Sequence, residues 1–321
     1  MIKYPSIEQF RHIVRTVQLQ HDYQGKNEIG EPIYQHTSPY PVLTLNGTVK
    51  LHGTNAGIVR YKDGSTKFQS RERELTLEHD NSQFMLAMSN KQLDFLFDGI
   101  DFDESIAVYG EWCGQGIQAG VAISQLPRMF VIFGWRVDGQ WKTDILKSDH
   151  SQQIYDVREF GTYNVDVDFN QPEYAQAKIV EMTLAVEAQC PVGKYFGVDG
   201  IGEGIVFSTV YNNDVLRFKS KGEKHSASKV KTIAAVNIEE LESLAAFVDY
   251  AVTETRLNQG LEKLAEMDKP LDRTSTGDFI RWIIGDILKE ETDTIVQNNF
   301  DIGKINPLVS KKAKDWFFAR C

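Results

Sequence analysis

Lys50-Leu51-His52-Gly53-Thr54-Asn55 is the stretch that organises this chain. β-favouring residues flank it, with Thr44 and Leu45 before and Gly57, Ile58 and Val59 after. Residues 49–61 therefore read as one β stretch. A lysine on a strand is ordinarily a solvated surface charge. Here a glycine and two small polar residues follow it closely. Glycine lets a ligand approach the backbone, and Thr54 and Asn55 offer a hydroxyl and an amide to a sugar or base. A lysine made nucleophilic in a pocket is a covalent catalyst. Such a lysine needs partners elsewhere in the chain.

The 321 residues suffice for one large or two ordinary domains, and 41% hydrophobic with 25% charged residues predicts a folded soluble protein. The net charge of -10 excludes a basic body, so a nucleic-acid partner would need a local basic face. Cys113, Cys190 and Cys321 lie far apart without metal-ligand spacing, which fits a reducing compartment. The first residues carry no apolar signal segment, and no apolar run is long enough to span a bilayer. No membrane partner is expected, and the cytoplasm is the expected location.

Ser6-Ile7-Glu8-Gln9 reads as a capping box with Ser6 as N-cap. Phe10, Ile13, Val14 and Val17 follow at helical spacing. Residues 22–41 read as loop and short strand. A hairpin turn at 62–65 returns a strand over 66–71. Residues 84–97 have helical spacing. Residues 106–112 and 129–135 read as buried strands, with Trp141 on a partner strand after an Asp-Gly turn, and 172–187 reads as a helix. Residues 204–208 and 215–219 complete a mixed set of strands. From Ile238 onward the apolar residues recur at helical spacing, over 238–264, 279–288 and 307–318. The class expected is α+β, with domains at 1–231 and 232–321, the second all helical.

Four further constellations carry chemistry. Arg71 ends the strand returning from the hairpin, so it is expected beside the Lys50 strand. Tyr109-Gly110-Glu111-Trp112 puts a carboxylate at the end of an apolar run. Glu203 stands just before Gly204-Ile205-Val206. Arg217, Lys219, Lys221, Lys224, Lys229 and Lys231 form the densest basic cluster, opposed only by Glu223. Taken singly, the carboxylates read equally as strand-end charges and the cluster as a solvated linker. Gly200-Ile201-Gly202-Glu203-Gly204 imitates a dinucleotide-binding loop, but strand-like residues follow where a helix is required, which excludes a nicotinamide reading.

In their order these pieces resemble the covalent nucleotidyltransferase superfamily of ATP-dependent ligases and capping enzymes. The matching motifs are Lys50-Leu51-His52-Gly53, Gly110-Glu111, Phe130-Val131-Ile132-Phe133, Glu203-Gly204 and Lys219-Ser220-Lys221. Most DNA ligases have Asp where this chain has His52. Lys-x-His-Gly-Thr-Asn is similar to the RNA ligase 2 branch of phages and kinetoplastid RNA-editing ligases. Glu111-Trp112-Cys113-Gly114-Gln115-Gly116 resembles that branch's extended glutamate motif. Ala251-Val252-Thr253-Glu254-Thr255-Arg256 and Gly285-Asp286-Ile287-Leu288 resemble its helical C-terminal domain. The family's Asp after the second aromatic is Gly134 here, and residues 148–200 resemble nothing placed.

The resemblance implies an adenylyltransferase domain, ATP-grasp-like, of antiparallel sheets with flanking helices. It implies ATP and Mg²⁺ or Mn²⁺ as cofactors, and RNA with 3′-OH and 5′-phosphate ends, in a nicked duplex, as partner. It implies Lys50 as the AMP-carrying nucleophile, Lys219 and Lys221 on the α-phosphate, Glu111 on the ribose, Phe133 on adenine and Glu203 at the metal. Arg71, His52 and Asn55 would serve the nucleotide, and Arg256 and Asp286 the RNA. A monomer in the cytoplasm, that of the host for a phage-encoded chain, completes the expectation. The alternatives are a DNA or mixed-strand nick ligase and an inactive nucleic-acid-binding relative.

Overall fold

A computed structural model describes residues 1–225 and 243–321. Helix α1 (Phe10–Asp22) is followed by a small hairpin, β1 (Tyr23–Lys26) and β2 (Pro32–Tyr34). Then come β3 (Val42–Lys50), β4 (Thr54–Tyr61), β5 (Thr66–Ser70), the short helix α2 (Phe84–Ser89), β6 (Ser105–Cys113), β7 (Met129–Val137) and β8 (Gln140–Lys142). β9 (Ile154–Asp156) and β10 (Thr162–Asp168) precede helices α3 (Pro172–Ala188) and α4 (Pro191–Tyr195), which lead to β11 (Gly204–Tyr211) and β12 (Asp214–Lys221). Beyond residue 242 every element is helical: α5 (Leu244–Ala251), α6 (Glu254–Glu266), α7 (Thr276–Glu290), α8 (Thr292–Gln297) and α9 (Ile302–Phe318). The α+β class and the helical C-terminal region are those expected.

Two antiparallel sheets build the larger part. One runs β10-β3-β11-β12 and the other β5-β4-β6-β7-β8, with β9 added parallel to β7. The expected single stretch over 49–61 is two strands in different sheets. The chain crosses between them at Leu51-His52-Gly53. Gly53 permits the crossing, because a Cβ there would run into the Trp112 carbonyl and Cys113 of β6. The close approach that this glycine serves is therefore that of β6. Arg71 follows β5, which pairs with β4, so its strand is the edge of the second sheet and does not lie beside β3, the Lys50 strand.

The first sheet turns Leu45, Val49, Ile205, Phe207 and Phe218 toward Phe10, Val14 and Val17 of α1 and Ile179 of α3, in one buried cluster. Burying such side chains contributes ~1.5–3 kcal/mol each. Alternation then sends Lys50 of β3, and Arg217, Lys219 and Lys221 of β12, to the opposite face. Residues 148–200, which carry none of the matching motifs, supply the edge strand β10 and α3, the helix expected over 172–187.

α1 begins at Phe10 with Gln9 as N-cap and no side-chain cap. The expected capping box does not form, because Glu8 bonds along β12, donating from its N to the Arg217 carbonyl at 3.0 Å and accepting from Lys219 N at 3.0 Å. The helix expected over 84–97 is α2 plus a 3-10 turn at Asp94–Leu96. The helix expected from 238 is broken in its described part, where the Thr253 side chain caps α6 and separates it from α5. Ile238, Leu241, Lys229, Lys231 and the boundary expected at 231/232 lie outside the described residues. No helix among the described residues is long and apolar enough to cross a membrane.

Candidate active site

Strand register puts Lys50, Gly204 and Lys221 in one row across β3, β11 and β12. Glu203 precedes that row and is 3% exposed. Its Oε2 accepts from Lys50 Nζ at 2.7 Å, and its Oε1 faces Lys221 Nζ at 3.0 Å. His52 Nδ1 lies 3.3 Å from the same Oε2. Burial pushes the Glu203 carboxyl up, but Lys50, Lys221 and His52 overcome it and hold the group well below the usual carboxylate range. Gly204 makes the row possible, since a Cβ would run into the Ser220 carbonyl of β12.

The second sheet supplies the facing wall. Asn55 of β4 lies opposite Glu111 of β6. Glu111 Oε1 accepts from Gly53 N at 3.1 Å, which fixes the carboxylate beside the crossing. Burial raises the Glu111 carboxyl to about 7 although Lys50 pulls it down. Thr54 points the other way. It is buried, and its Oγ1 accepts from Asn81 Nδ2 at 2.8 Å, so its hydroxyl is a packing group and not a ligand.

A bulge in β7 leaves Phe133 as the extra residue between Ile132, paired with Gly110, and Gly134, paired with Tyr109. Bulges of this kind re-aim a side chain. Phe133 meets the edge of Tyr4 at 5.0 Å between ring centres, and Tyr4 also touches Tyr109 and Trp141. Gly134 leaves ordinary contact distance to Trp141 and Tyr4. The Arg217 guanidinium lies 4.2 Å over the Trp141 ring, so the cationic face of the first sheet looks onto the aromatic face of the second. Arg71 makes no hydrogen bond or ion pair among the described residues, and its charge reaches Tyr4.

The helical region reaches this site. Lys219 Nζ pairs with Glu290 at the end of α7 at 2.8 Å. Glu290 also accepts from the Gln9 side chain, and its carbonyl accepts from Arg11. Burial pushes Glu290 up, but Lys219 and Gln9 bring it down to about 2. Glu262 of α6 feels His52, Lys221 and Glu203 electrostatically, with burial raising its carboxyl above the usual value.

Arg256 lies inside the helical core, whereas the charge of Asp286 also acts on Lys219. Arg256 is 0% exposed, donates to Asp286 Oδ2 at 2.8 Å and to Glu291 Oε1 at 3.1 Å, and caps the Ala251 carbonyl. That burial takes the Arg256 guanidinium away from solvent, while the Asp286 side chain stays 18% exposed. A guanidinium with carboxylate and carbonyl partners inside a helical core shapes the domain.

Glu290, Glu262, Tyr4 and His225 were not singled out from the sequence. His225 stacks obliquely on His52 at 5.5 Å between ring centres. Helical periodicity carries no sign of which carboxylate meets a distant strand, and Tyr4 stands in a segment without a motif. As a test for a divalent ion, the hard carboxylate oxygens of Glu203, with the Glu262 carboxylate within electrostatic reach, match the donors that Mg²⁺ and Mn²⁺ prefer.

Residues 44–221 match the family model described as RNA ligase. A search of curated protein sequences gave no match. Among solved structures the chain is similar to Naegleria gruberi RNA ligase. A variant with ATP and Mn is 19% identical over 68% of this chain and 56% of that one, with a TM-score of 0.44. A variant with AMP and Mn is 19% identical over 70% and 56%, TM-score 0.45. The ligase with PPi is 19% identical over 70% and 56%, TM-score 0.43. The chain thus spans little more than half the length of these solved ligases.

Proposed function

The chain belongs to the RNA ligase family, and from that premise we propose that it joins RNA ends through an adenylated Lys50. Lys50 Nζ attacks the α-phosphorus of ATP, a P–N bond forms, and pyrophosphate leaves. An oxygen of an RNA 5′-phosphate then attacks the same phosphorus, which breaks the P–N bond and frees the lysine. The 3′-OH of the second strand finally attacks the activated 5′-phosphate, forms the phosphodiester and releases AMP.

Each displacement at phosphorus depends on alignment and charge stabilisation. Lys219 and Lys221 hold the α-phosphate, Glu111 the ribose hydroxyls, and Phe133 the adenine face. Arg71, His52 and Asn55 complete the nucleotide contacts. The Lys50–Glu203 pair must open before attack, because an amine whose lone pair is protonated is no nucleophile. Glu203 would hold a hydrated Mg²⁺ or Mn²⁺, which would offset phosphate charge. The substrate is a nick in duplex RNA, and the enzyme works as a cytoplasmic monomer.

The single observation that carries this reading is the buried Glu203 between Lys50 and Lys221, opposite Glu111. The test is a comparison of nicked duplex RNA, nicked duplex DNA and free single strands. Sealing of the RNA nick supports the reading. Sealing of an all-DNA nick with none of RNA overturns the RNA assignment in favour of a DNA ligase.

A further inference from the structure

Among the described residues one group of histidine and acidic side chains converges within ligand distance, and nothing in the adenylation chemistry uses it. His21, Asp22 and His36 offer one ligand atom each, all within 4.8 Å of one another. His21 Nδ1 lies 3.1 Å and His36 Nδ1 3.0 Å from the same oxygen, Asp22 Oδ1. Tyr40 OH donates to Asp22 Oδ2 at 3.0 Å, and Ser38 Oγ lies 3.2 Å from His21 Nε2. The group stands where α1 ends and the β1–β2 hairpin returns, just before β3. Lys50 is at the other end of that strand, roughly 25 Å away at a strand's rise per residue.

We propose that His21, Asp22 and His36 form a binding site for a borderline divalent transition-metal ion of the Zn²⁺ class. Two imidazole nitrogens and one carboxylate oxygen are the donor set that Zn²⁺ takes, with a fourth position left for water. Mg²⁺ prefers oxygen ligands and is a poor match.

The surrounding groups suit the ion. Tyr40 occupies Oδ2 and leaves Oδ1 for the metal. A ring that gives its Nδ1 lone pair to an ion carries its proton on Nε2. Ser38, whose hydroxyl both donates and accepts, can take that proton from His21 as a hydrogen bond. His36 is exposed and keeps its Nε2–H in water. Neutral rings need only exchange tautomer. The ion would also clip a weak element. β1 and β2 form a two-stranded sheet of almost wholly exposed residues, and such a hairpin alone is at best marginally stable.

The test uses the full chain with any affinity tag removed and metals stripped by chelator. Zn²⁺ is titrated by calorimetry and Co²⁺ by visible absorption. Wild type is expected to bind Zn²⁺ and to melt at higher temperature when it is bound. His36→Ala and Asp22→Asn, each shown folded by circular dichroism, are expected to bind at least about tenfold more weakly and to lose the thermal shift. Mg²⁺-dependent labelling of Lys50 should be unchanged in His36→Ala. Absence of Zn²⁺ binding by wild type at micromolar concentration overturns the proposal. So does equal binding by wild type and both variants, which would put the ion elsewhere, as at His52 and Glu203.

Discussion

Lys50 Nζ donates to Glu203 Oε2 at 2.7 Å, bridging the end of β3 and the residue just before β11. The nucleophile ends one strand and its charge partner leads into the neighbouring strand of the same sheet, and the partner is shared with Lys221. Glu203→Ala would leave two lysines facing each other without a counter-charge. Breaking a buried pair by removing one partner costs about 3–5 kcal/mol, and the variant should melt lower. Its nucleotide transfer should fall by about 10²-fold or more. Glu203→Gln, which keeps the shape, should melt closer to wild type and still be slow. Melting curves and single-turnover labelling check both, and wild-type transfer rates in the two variants would contradict the role.

The Lys219–Glu290 pair gives a pH prediction. Glu290 titrates at about 2 in the folded chain, below its ordinary value of 4.5. A carboxyl whose folded pKa is lowered contributes stability that is full above its unfolded pKa and is lost as pH falls toward the folded one. Denaturant midpoints should drop between about pH 4.5 and pH 2. Glu290→Gln should be less stable at neutral pH and lose less on acidification. An identical acid slope in the variant would remove Glu290 from the account.

Gly53 and Gly204 are predicted to be intolerant for steric reasons. At both, a Cβ would run into a carbonyl of the adjoining strand. Gly204→Ala should push β12 away and carry Lys221 out of reach of Glu203. Overpacking of this kind costs about 1–3 kcal/mol. The expected readout is a lower melting temperature and a loss of nucleotide transfer greater than that drop explains. Wild-type behaviour would contradict the packing.

Phe133 stands at the β7 bulge against Tyr4. Base stacking on an aromatic ring contributes ~1–3 kcal/mol by alanine substitution. Phe133→Ala should raise the ATP concentration for half-maximal labelling by about tenfold or more, and Phe133→Tyr should restore most of it. Unchanged nucleotide affinity in Phe133→Ala would assign the ring to the core alone.

Much of the site was legible because its chemistry is written at strand ends in chain order. Lys50, Glu111, Glu203, Lys219 and Lys221 come together through strand register, and period-two alternation puts the three lysines on one face. The break at 51–53 was not legible. Both strands are β-favouring, and only the third dimension shows that Gly53 has to pass the Trp112 carbonyl. Thr54 and Asn55 are adjacent in sequence, yet alternation turns one into the core and the other to the cleft. The burial of Arg256 was not legible, because a conspicuous charge on a helix looks exposed until its partners are seen. Glu290 could not have been found, since its partner lies on another element 71 residues earlier (290 − 219).

The most direct test of the central claim is labelling with [α-³²P]ATP and Mg²⁺, followed by peptide mass spectrometry. The expected result is an acid-stable adduct of one AMP on Lys50, absent in Lys50→Ala and discharged by nicked RNA carrying a 5′-phosphate. An adduct on another residue, or equal labelling of Lys50→Ala, would contradict it.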